Sequence, residues 1–394
     1  LDRYTFTYTV NSYKPPLLQT IEYLYSDEFE YKFIEEHKVD NNTVLILNLD
    51  RDVSSYLYSN LCIDHICKVL NKGGSTVLDY SFEADTAIRP SYVYLYELLK
   101  EKGVETGKLF LSYNNSKHRG LSESKFRDFK IKCIHFPYFL INTSREMDSY
   151  VGKGAFNVNK DKDFLCLNRR VGIDKFKTIH KLVQQNLLHK TNLTFIDYRK
   201  DLEPLLLKKL EWKDTLSKLG LTVPMSNPRQ LEEDIEYGKD LAWSDEHLYR
   251  INPEWYYKSK VNIVIETWFE PIIKGWDSWD DMIHITEKTW KPIYLGVPFV
   301  VIGTPGHLSS LRSYGFKTFE NVIDESYDLL IGDERRDKAL QAAIHLAKLY
   351  DDPKVIEVCE HNSKLIKDLE FKKELIKDEY LNYLFVYPKK ISYI

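Results

Sequence analysis

An α/β protein of two Rossmann-like domains facing a cleft is what this sequence predicts, and three observations carry that expectation. At 394 residues the chain exceeds what one hydrophobic core usually supports, so two domains of roughly 150–200 residues are expected. From about residue 43 to 140, short β-branched or aromatic runs alternate with helical stretches, the signature of βαβ units and a parallel sheet. A second alternation of the same kind begins at residue 163, and parallel sheets bind ligands beyond the carboxyl ends of their strands.

In order, the first series reads TVLILNL (43–49), a helix near 54–71, STVLDYS (75–81), a helix near 91–102, KLFLSYNN (108–115) and IKCIHFPYFL (131–140). The polar, Gly-containing segment SREMDSYVGKGAFNVNKD is the candidate linker. The second series reads DFLCLNRR (163–170), a helix near 173–188, LTFIDYR (193–199), a helical and irregular stretch over 201–258, VNIVIETW (261–268), PFVVIG (298–303), and helices at 305–314 and 335–350. From Pro353 to about Asp378 a charged helix carries Val355, Ile356, Val358, Leu365, Ile366 and Leu369 at helical intervals. The expected domains are therefore 1–150 for an acceptor, 151–352 for a donor, and a helical tail, 353–394, able to pack back on the first domain.

Composition narrows the class. A hydrophobic share of 43% and a charged share of 29% are ordinary globular values, while 28 Tyr, 19 Phe and 7 Trp suit a stacking or sugar-binding cleft. The net charge of −4 argues against a surface built to neutralise a polyphosphate backbone, so nucleic acid is possible but not the favoured partner. Five cysteines without CxxC or Cys/His spacing indicate neither a disulfide framework nor a zinc site. No apolar run approaches the ~20 residues of a membrane span, and LDRYTFTYTVNSYKPP lacks a signal-peptide core. A cytoplasmic protein without a membrane span is the expectation.

Polar residues just beyond the strands supply the candidate site. Thr286 can cap a helix whose free N–H groups favour an anion such as a diphosphate, Lys288 adds a full positive charge, and Glu287 can accept hydrogen bonds from paired ribose hydroxyls. A plain helix start with an acidic first turn explains the same tripeptide. Pro292 removes an intrahelical hydrogen bond, so this helix is expected to be kinked or delayed. PFVVIGTPG runs from strand into a Gly-Pro-Gly turn that lets backbone approach a ligand. Asn168, Arg169 and Arg170 close the strand DFLCL, where arginine forks suit phosphate and the Asn suits a sugar hydroxyl, although a solvated strand-end pair would look alike. In STVLDYSFEAD, Asp79 and Glu83 are the candidate catalytic bases for an acceptor hydroxyl, and Asp85 reads equally as a helix cap. Asp50-Arg51-Asp52 resembles a metal-binding Asp-x-Asp but is explained by capping, so no metal is expected. Among the histidines, His135 and His284 are the two worth testing. The chain has no GxSxG elbow, no Walker loop, and no GxGxxG after its first strand.

The pair VNIVIETW and HITEKTWKPIYLGVPFVVIG resembles the donor-binding signature of the α1,3-fucosyltransferase-type glycosyltransferases of the GT-B fold, over roughly 45 of the 394 residues. The resemblance implies that Glu287 binds the nucleotide ribose and Lys288 the donor phosphate, with Glu266 near the donor and Arg169 or Arg170 neutralising the leaving diphosphate. The family's Glu-Asn is Glu266-Thr267 here, and FEPIIKGWDSWDDMI (269–283) is a longer loop, so donor and acceptor are not carried over. The continuation GHLSSLRSYGFKTF and VIDESYD resembles relatives of that family, many of them viral. The expected function is a metal-independent glycosyltransferase using a nucleotide-diphosphate sugar as co-substrate, with no further cofactor, and a glycan or other hydroxyl acceptor. Two alternatives stand beside it: transfer to hydroxymethylated bases of DNA, and a non-catalytic nucleotide- or sugar-binding protein.

Overall fold

The structure, a computed structural model, describes residues 5–8, 16–25, 30–33, 39–41, 43–48, 60–80, 89–114, 132–147, 155–168, 170–171, 173–193, 197–198, 253–267, 269 and 283–377. It is α/β, as the sequence predicts, and divides into two compact units, Leu1–Arg145 with Asp368–Ile394 and Glu146–Lys367.

The first unit holds a six-stranded sheet, β1 (Thr5–Tyr8), β2 (Glu30–Phe33), β3 (Thr43–Asn48), β4 (Ser75–Tyr80), β5 (Leu109–Tyr113) and β6 (Lys132–His135), in the order β2-β1-β3-β4-β5-β6. Every pairing is parallel. Among the described residues, helices α1 (Pro16–Tyr25), α2 (Asn60–Asn71), α3 (Arg89–Glu101) and α4 (Tyr138–Met147) alternate with these strands along the chain. Leu45, Leu47 and Leu78 of the sheet, with Ile66 and Val69 of α2 and Leu95 and Leu99 of α3, form one buried cluster. Two parts of this unit differ from the sequence expectation. The β1-α1-β2 unit precedes residue 43, because TFTY and EYKF mix polar residues into four-residue strands too short to stand out as apolar runs. IKCIHFPYFL is not one strand: β6 stops at His135, and α4 starts just after Pro137, a residue that favours a helix start.

The second unit is built on a parallel four-stranded sheet, β7 (Lys162–Cys166), β9 (Thr191–Leu193), β11 (Ser259–Ile265) and β12 (Phe299–Ile302), in the order β12-β11-β7-β9. The short strands β8 (Arg170–Val171) and β10 (Asp197–Tyr198) pair separately. Its described α-helices are α5 (Ile173–Gln184), α6 (Pro253–Tyr257), α7 (Glu287–Leu295), α8 (His307–Ser313), α9 (Gly332–Lys348) and α10 (Pro353–Lys367). Strand β11 is buried over nearly its whole length, as a strand with neighbours on both sides and covered faces should be. Helix α9 packs on β7, β11 and β12 through Ala339, Leu340, Ala343 and Ala347, small residues that let it lie close.

The charged stretch after Pro353 is two helices rather than one. Asp368 ends α10 and caps α11 (Leu369–Ile376), its Oδ1 accepting from the N–H groups of Glu370 at 2.9 Å and Phe371 at 3.2 Å. Leu369, counted in the apolar stripe, is 41% exposed because the break turns it outward. Helix α10 belongs to the second unit and α11 to the first. No described helix is long and apolar enough to cross a membrane.

Candidate functional site

Strand β11 ends where the site begins. Glu266 follows Ile265, its N–H still bonded to the Ile302 carbonyl at 2.9 Å, and is only 1% exposed. Its Oε1 accepts from the Thr286 N–H at 3.1 Å and the Thr289 hydroxyl at 2.6 Å. Oε2 accepts from the Thr286 hydroxyl at 2.6 Å and the Thr267 N–H at 3.3 Å. An ionised carboxylate has about four acceptor positions, and this chain's own donors fill them. Burial alone would raise its pKa, but Lys288, His307 and the two hydroxyls outweigh that and hold it below the usual carboxylate value.

The next layer is the start of α7. Thr286 is the extended N-cap (φ −103°, ψ −179°), and its Oγ1 accepts from the Lys288 N–H at 3.3 Å. The helix begins at Glu287 and runs through Pro292 to a left-handed Gly296 (φ 66°), so of the kink or delay expected from the proline the delay does not occur. The Lys288 ammonium donates to Glu287 Oε1 at 3.0 Å, Thr286 Oγ1 at 3.0 Å and Thr267 Oγ1 at 3.3 Å. It is still 26% exposed, against 8% for the Glu287 side chain. Glu287 sits in the first turn, where the helix dipole favours negative charge. Burial would raise its pKa, yet Lys288 and then Lys291 pull it down to about 2.

Two basic residues missed in the sequence join this cluster. Lys175, in the first turn of α5, lies within electrostatic reach of Lys288, Glu287, Glu266 and Cys166. Burial first, and then repulsion from Lys288, lower its pKa to about 8, against the pull of the two glutamates. A single Lys five residues after Arg170 carried no motif by itself. His307 opens α8 with no exposed surface, its Nε2 3.3 Å from Thr289 Oγ1. Burial lowers its pKa to about 4, Glu266 and Asp328 opposing the shift and Arg335 and His284 adding to it. The segment that carries it is anchored by a buried ion pair. Asp328 Oδ2 accepts from the N–H groups of Leu308 and Ser309, Oδ1 pairs with Arg335 at 3.2 Å, and Arg335 also binds the Thr304 carbonyl. At Gly303 the crowding comes from the chain's own side chains: a Cβ there would stand 3.2 Å from both Glu266 Cβ and His307 Nδ1.

The remaining sequence candidates fall as follows. Asn168 is buried, donating to Cys166 Sγ at 3.3 Å, and that thiol is pushed up to about 11 by burial, against the effect of Asn168 and Lys175. Arg170 lies in β8; its side chain, together with Arg169, Glu83, Asp85 and Asp50-Arg51-Asp52, is outside the described residues. Asp79 has no exposed surface, and its Oδ2 accepts from the Leu17 N–H at 2.8 Å, in the first turn of α1. His135 ends β6 and His284 precedes α7, both buried. Among the described residues no group of three or more His, Cys, Asp or Glu is placed to hold a metal ion.

No protein-family model matches the sequence, and no curated protein matches it. Among solved structures the chain is similar to the crystal structure of the DNA modifying enzyme beta-glucosyltransferase, determined in the presence and absence of the substrate uridine diphosphoglucose. That similarity has 13% identity and a TM-score of 0.44, covering 95% of this chain and 98% of that one. The functional reading rests on the site's own side chains: a saturated strand-end carboxylate holding a helix start, with two lysines and an ionised glutamate gathered there.

Proposed function

We propose that the second unit binds a nucleoside diphosphate-sugar and that the protein is a GT-B glycosyltransferase, moving the sugar to a hydroxyl acceptor taken by the first unit. The observation that carries this reading is the convergence of Lys288 and Lys175 at the N-terminal end of α7, beyond the carboxyl end of β11. Two cations that repel one another, at the positive end of a helix dipole, form a site that an anionic diphosphate stabilises. Glu287, held ionised, accepts from ribose hydroxyls. Arg169 and Arg170 add charge for the departing diphosphate, and Asn168 contributes from the end of β7. Glu266 serves this site through Thr286, whose cap it fixes. Stabilising the leaving group's charge is the largest demand of the transfer, and fixed cations meet it without a metal.

For the acceptor, we assign the base to Glu83 rather than Asp79. The Asp79 carboxylate is buried and bonded to the start of α1, which suits holding a helix better than taking a proton. In an inverting transfer Glu83 removes the acceptor hydroxyl's proton as that oxygen bonds the anomeric carbon, and the diphosphate leaves with the electron pair of the broken bond.

The test is thermal unfolding of the purified protein with GDP, UDP, ADP, CMP and their common sugars, with and without EDTA. One nucleotide family is expected to add about 2.7 kcal/mol at 100 times its dissociation constant. EDTA should leave this unchanged, and Lys288→Ala and Lys175→Ala should each weaken binding roughly tenfold to a hundredfold. Stabilisation by none of them overturns the reading. Binding without nucleotide release on any hydroxyl acceptor, glycan or hydroxymethylated DNA, makes the chain a non-catalytic binding protein.

A further inference from the structure

We propose that His307 is a positioning residue of the donor site: a neutral imidazole carrying its proton on Nε2, it locks the Thr289 hydroxyl onto Glu266 and thereby fixes the helix start that presents Lys288. The proposal rests on the donor reading above and adds to it a residue that touches no ligand.

The direction of each hydrogen bond follows from donor inventory. An ionised carboxylate only accepts, so at 2.6 Å the Thr289 hydroxyl gives its single proton to Glu266 Oε1. That proton being spent, the contact between Thr289 Oγ1 and His307 Nε2 at 3.3 Å requires the ring to donate. The other half of the carboxylate repeats the pattern. Thr286 gives its proton to Oε2 at 2.6 Å and therefore presents a lone pair to the Lys288 ammonium at 3.0 Å. Two relays, His307 to Thr289 and Lys288 to Thr286, thus end on one carboxylate, and bonds arranged head to tail in this way strengthen one another.

The ring has no freedom to reverse the arrangement. His307 has no exposed surface, and its Nδ1 has no hydrogen-bond partner among the described residues; that nitrogen faces Gly303, where a Cβ would come within 3.2 Å. The backbone on either side is held too, by Asp328 on the Leu308 and Ser309 N–H groups and by Arg335 on the Thr304 carbonyl. A doubly protonated ring would bury a second N–H for which the described residues supply no acceptor. The buried ion pair, the glycine and the histidine together orient one hydroxyl.

Nitrogen-15 NMR of the histidine-labelled full chain at neutral pH decides the first half: a neutral ring protonated at Nε2 is expected, and an Nδ1–H tautomer or an imidazolium overturns the proposal. The second half is read in titrations with the nucleotide diphosphate that the wild-type chain binds. His307→Phe, which fills the space without a donor, should weaken binding about threefold to tenfold, while His307→Gln, whose amide can donate to Thr289, should restore most of it. Thr289→Val should lose a similar factor, and combining it with His307→Phe should cost little more than either change alone. Phe and Gln variants that bind equally, or losses that multiply in the double variant, overturn the relay. Should His307→Phe fail to fold, the tautomer and the Gln and Val variants still decide. A wild-type chain that binds no nucleotide overturns the donor reading and the positioning role with it, and the tautomer then reports the hydrogen-bond order alone.

Discussion

Both units place a fully buried acid at or just past the carboxyl end of a central strand, and both use it to hold the start of a helix. In the first unit Asp79, near the end of β4, accepts from the Leu17 N–H of α1. In the second, Glu266, just after β11, accepts from the N–H and hydroxyl of Thr286, the cap of α7. The difference lies in what the anchored helix carries. Helix α1 has no acidic residue in its first turn and runs PLLQTIEYLY, whereas α7 opens on Glu287 and Lys288. A strand-end carboxylate is therefore positional in both, and the two differ in the charge of the residues it positions.

The comparison can be broken at its strongest point. Glu266→Ala leaves the Thr286 N–H and two hydroxyls without their acceptor, and we expect a loss of about 4 kcal/mol in denaturant unfolding together with loss of nucleotide binding. A stable Glu266→Ala chain that still binds nucleotide would end the claim that this acid organises the site.

The second prediction uses pH. The folded pKa of His307 is lowered to about 4 from an unfolded value of about 6.5, so between these the unfolded chain binds the extra proton. Its contribution is complete above the unfolded value and falls away as pH drops, by up to about 1.4 kcal/mol per pH unit. Glu287, lowered to about 2, loses its contribution in a separate window, as pH falls from about 4.3. His307→Phe should flatten the pH 4–6.5 portion of the stability profile and leave the more acid portion intact. An unchanged slope in that window would show that this ring titrates freely.

Asp79→Asn sharpens the contrast between units. Replacing the buried carboxyl acceptor by an amide at the start of α1 should destabilise by about 2 kcal/mol, with nucleotide affinity unaltered and turnover retained. A turnover loss of several orders of magnitude in a stable Asp79→Asn chain would return the base role to this residue. Smallest is Gly303→Ala, where the added methyl meets Glu266 and His307 at 3.2 Å. We expect about 1 kcal/mol of destabilisation and a measurable drop in nucleotide affinity by calorimetry, because the atoms displaced belong to the relay.

How much of this was legible in the sequence depends on the distance over which each feature acts. The strand and helix alternation, and the helix start at Thr286-Glu287-Lys288, are written within a few residues. Periodicity marks the first, and a cap hydroxyl reaching the N–H two residues on marks the second. The break at Asp368 was legible in the same terms, an Asp capping its own second and third neighbours, but an apolar stripe running across it concealed it. For a related reason Pro292 did not delay the helix: a proline costs one backbone bond, and burial of nearly every residue of α7 outweighs that loss.

The sequence by itself thus determined a parallel α/β chain and the helix start at Thr286-Glu287-Lys288, since both follow from local bonding and hydrophobic period. Only the tertiary structure decided that Glu266 spends its acceptor positions on its own chain, and that Lys175 and His307 belong beside it. Those partners lie 18 to 23 residues apart in the hydrogen-bonded core and farther still for Lys175. No local pattern records which side chains meet when separate strands and helices close on one sheet edge. Packing sets those meetings, and burial then fixes which groups stay charged and which hydroxyl points where.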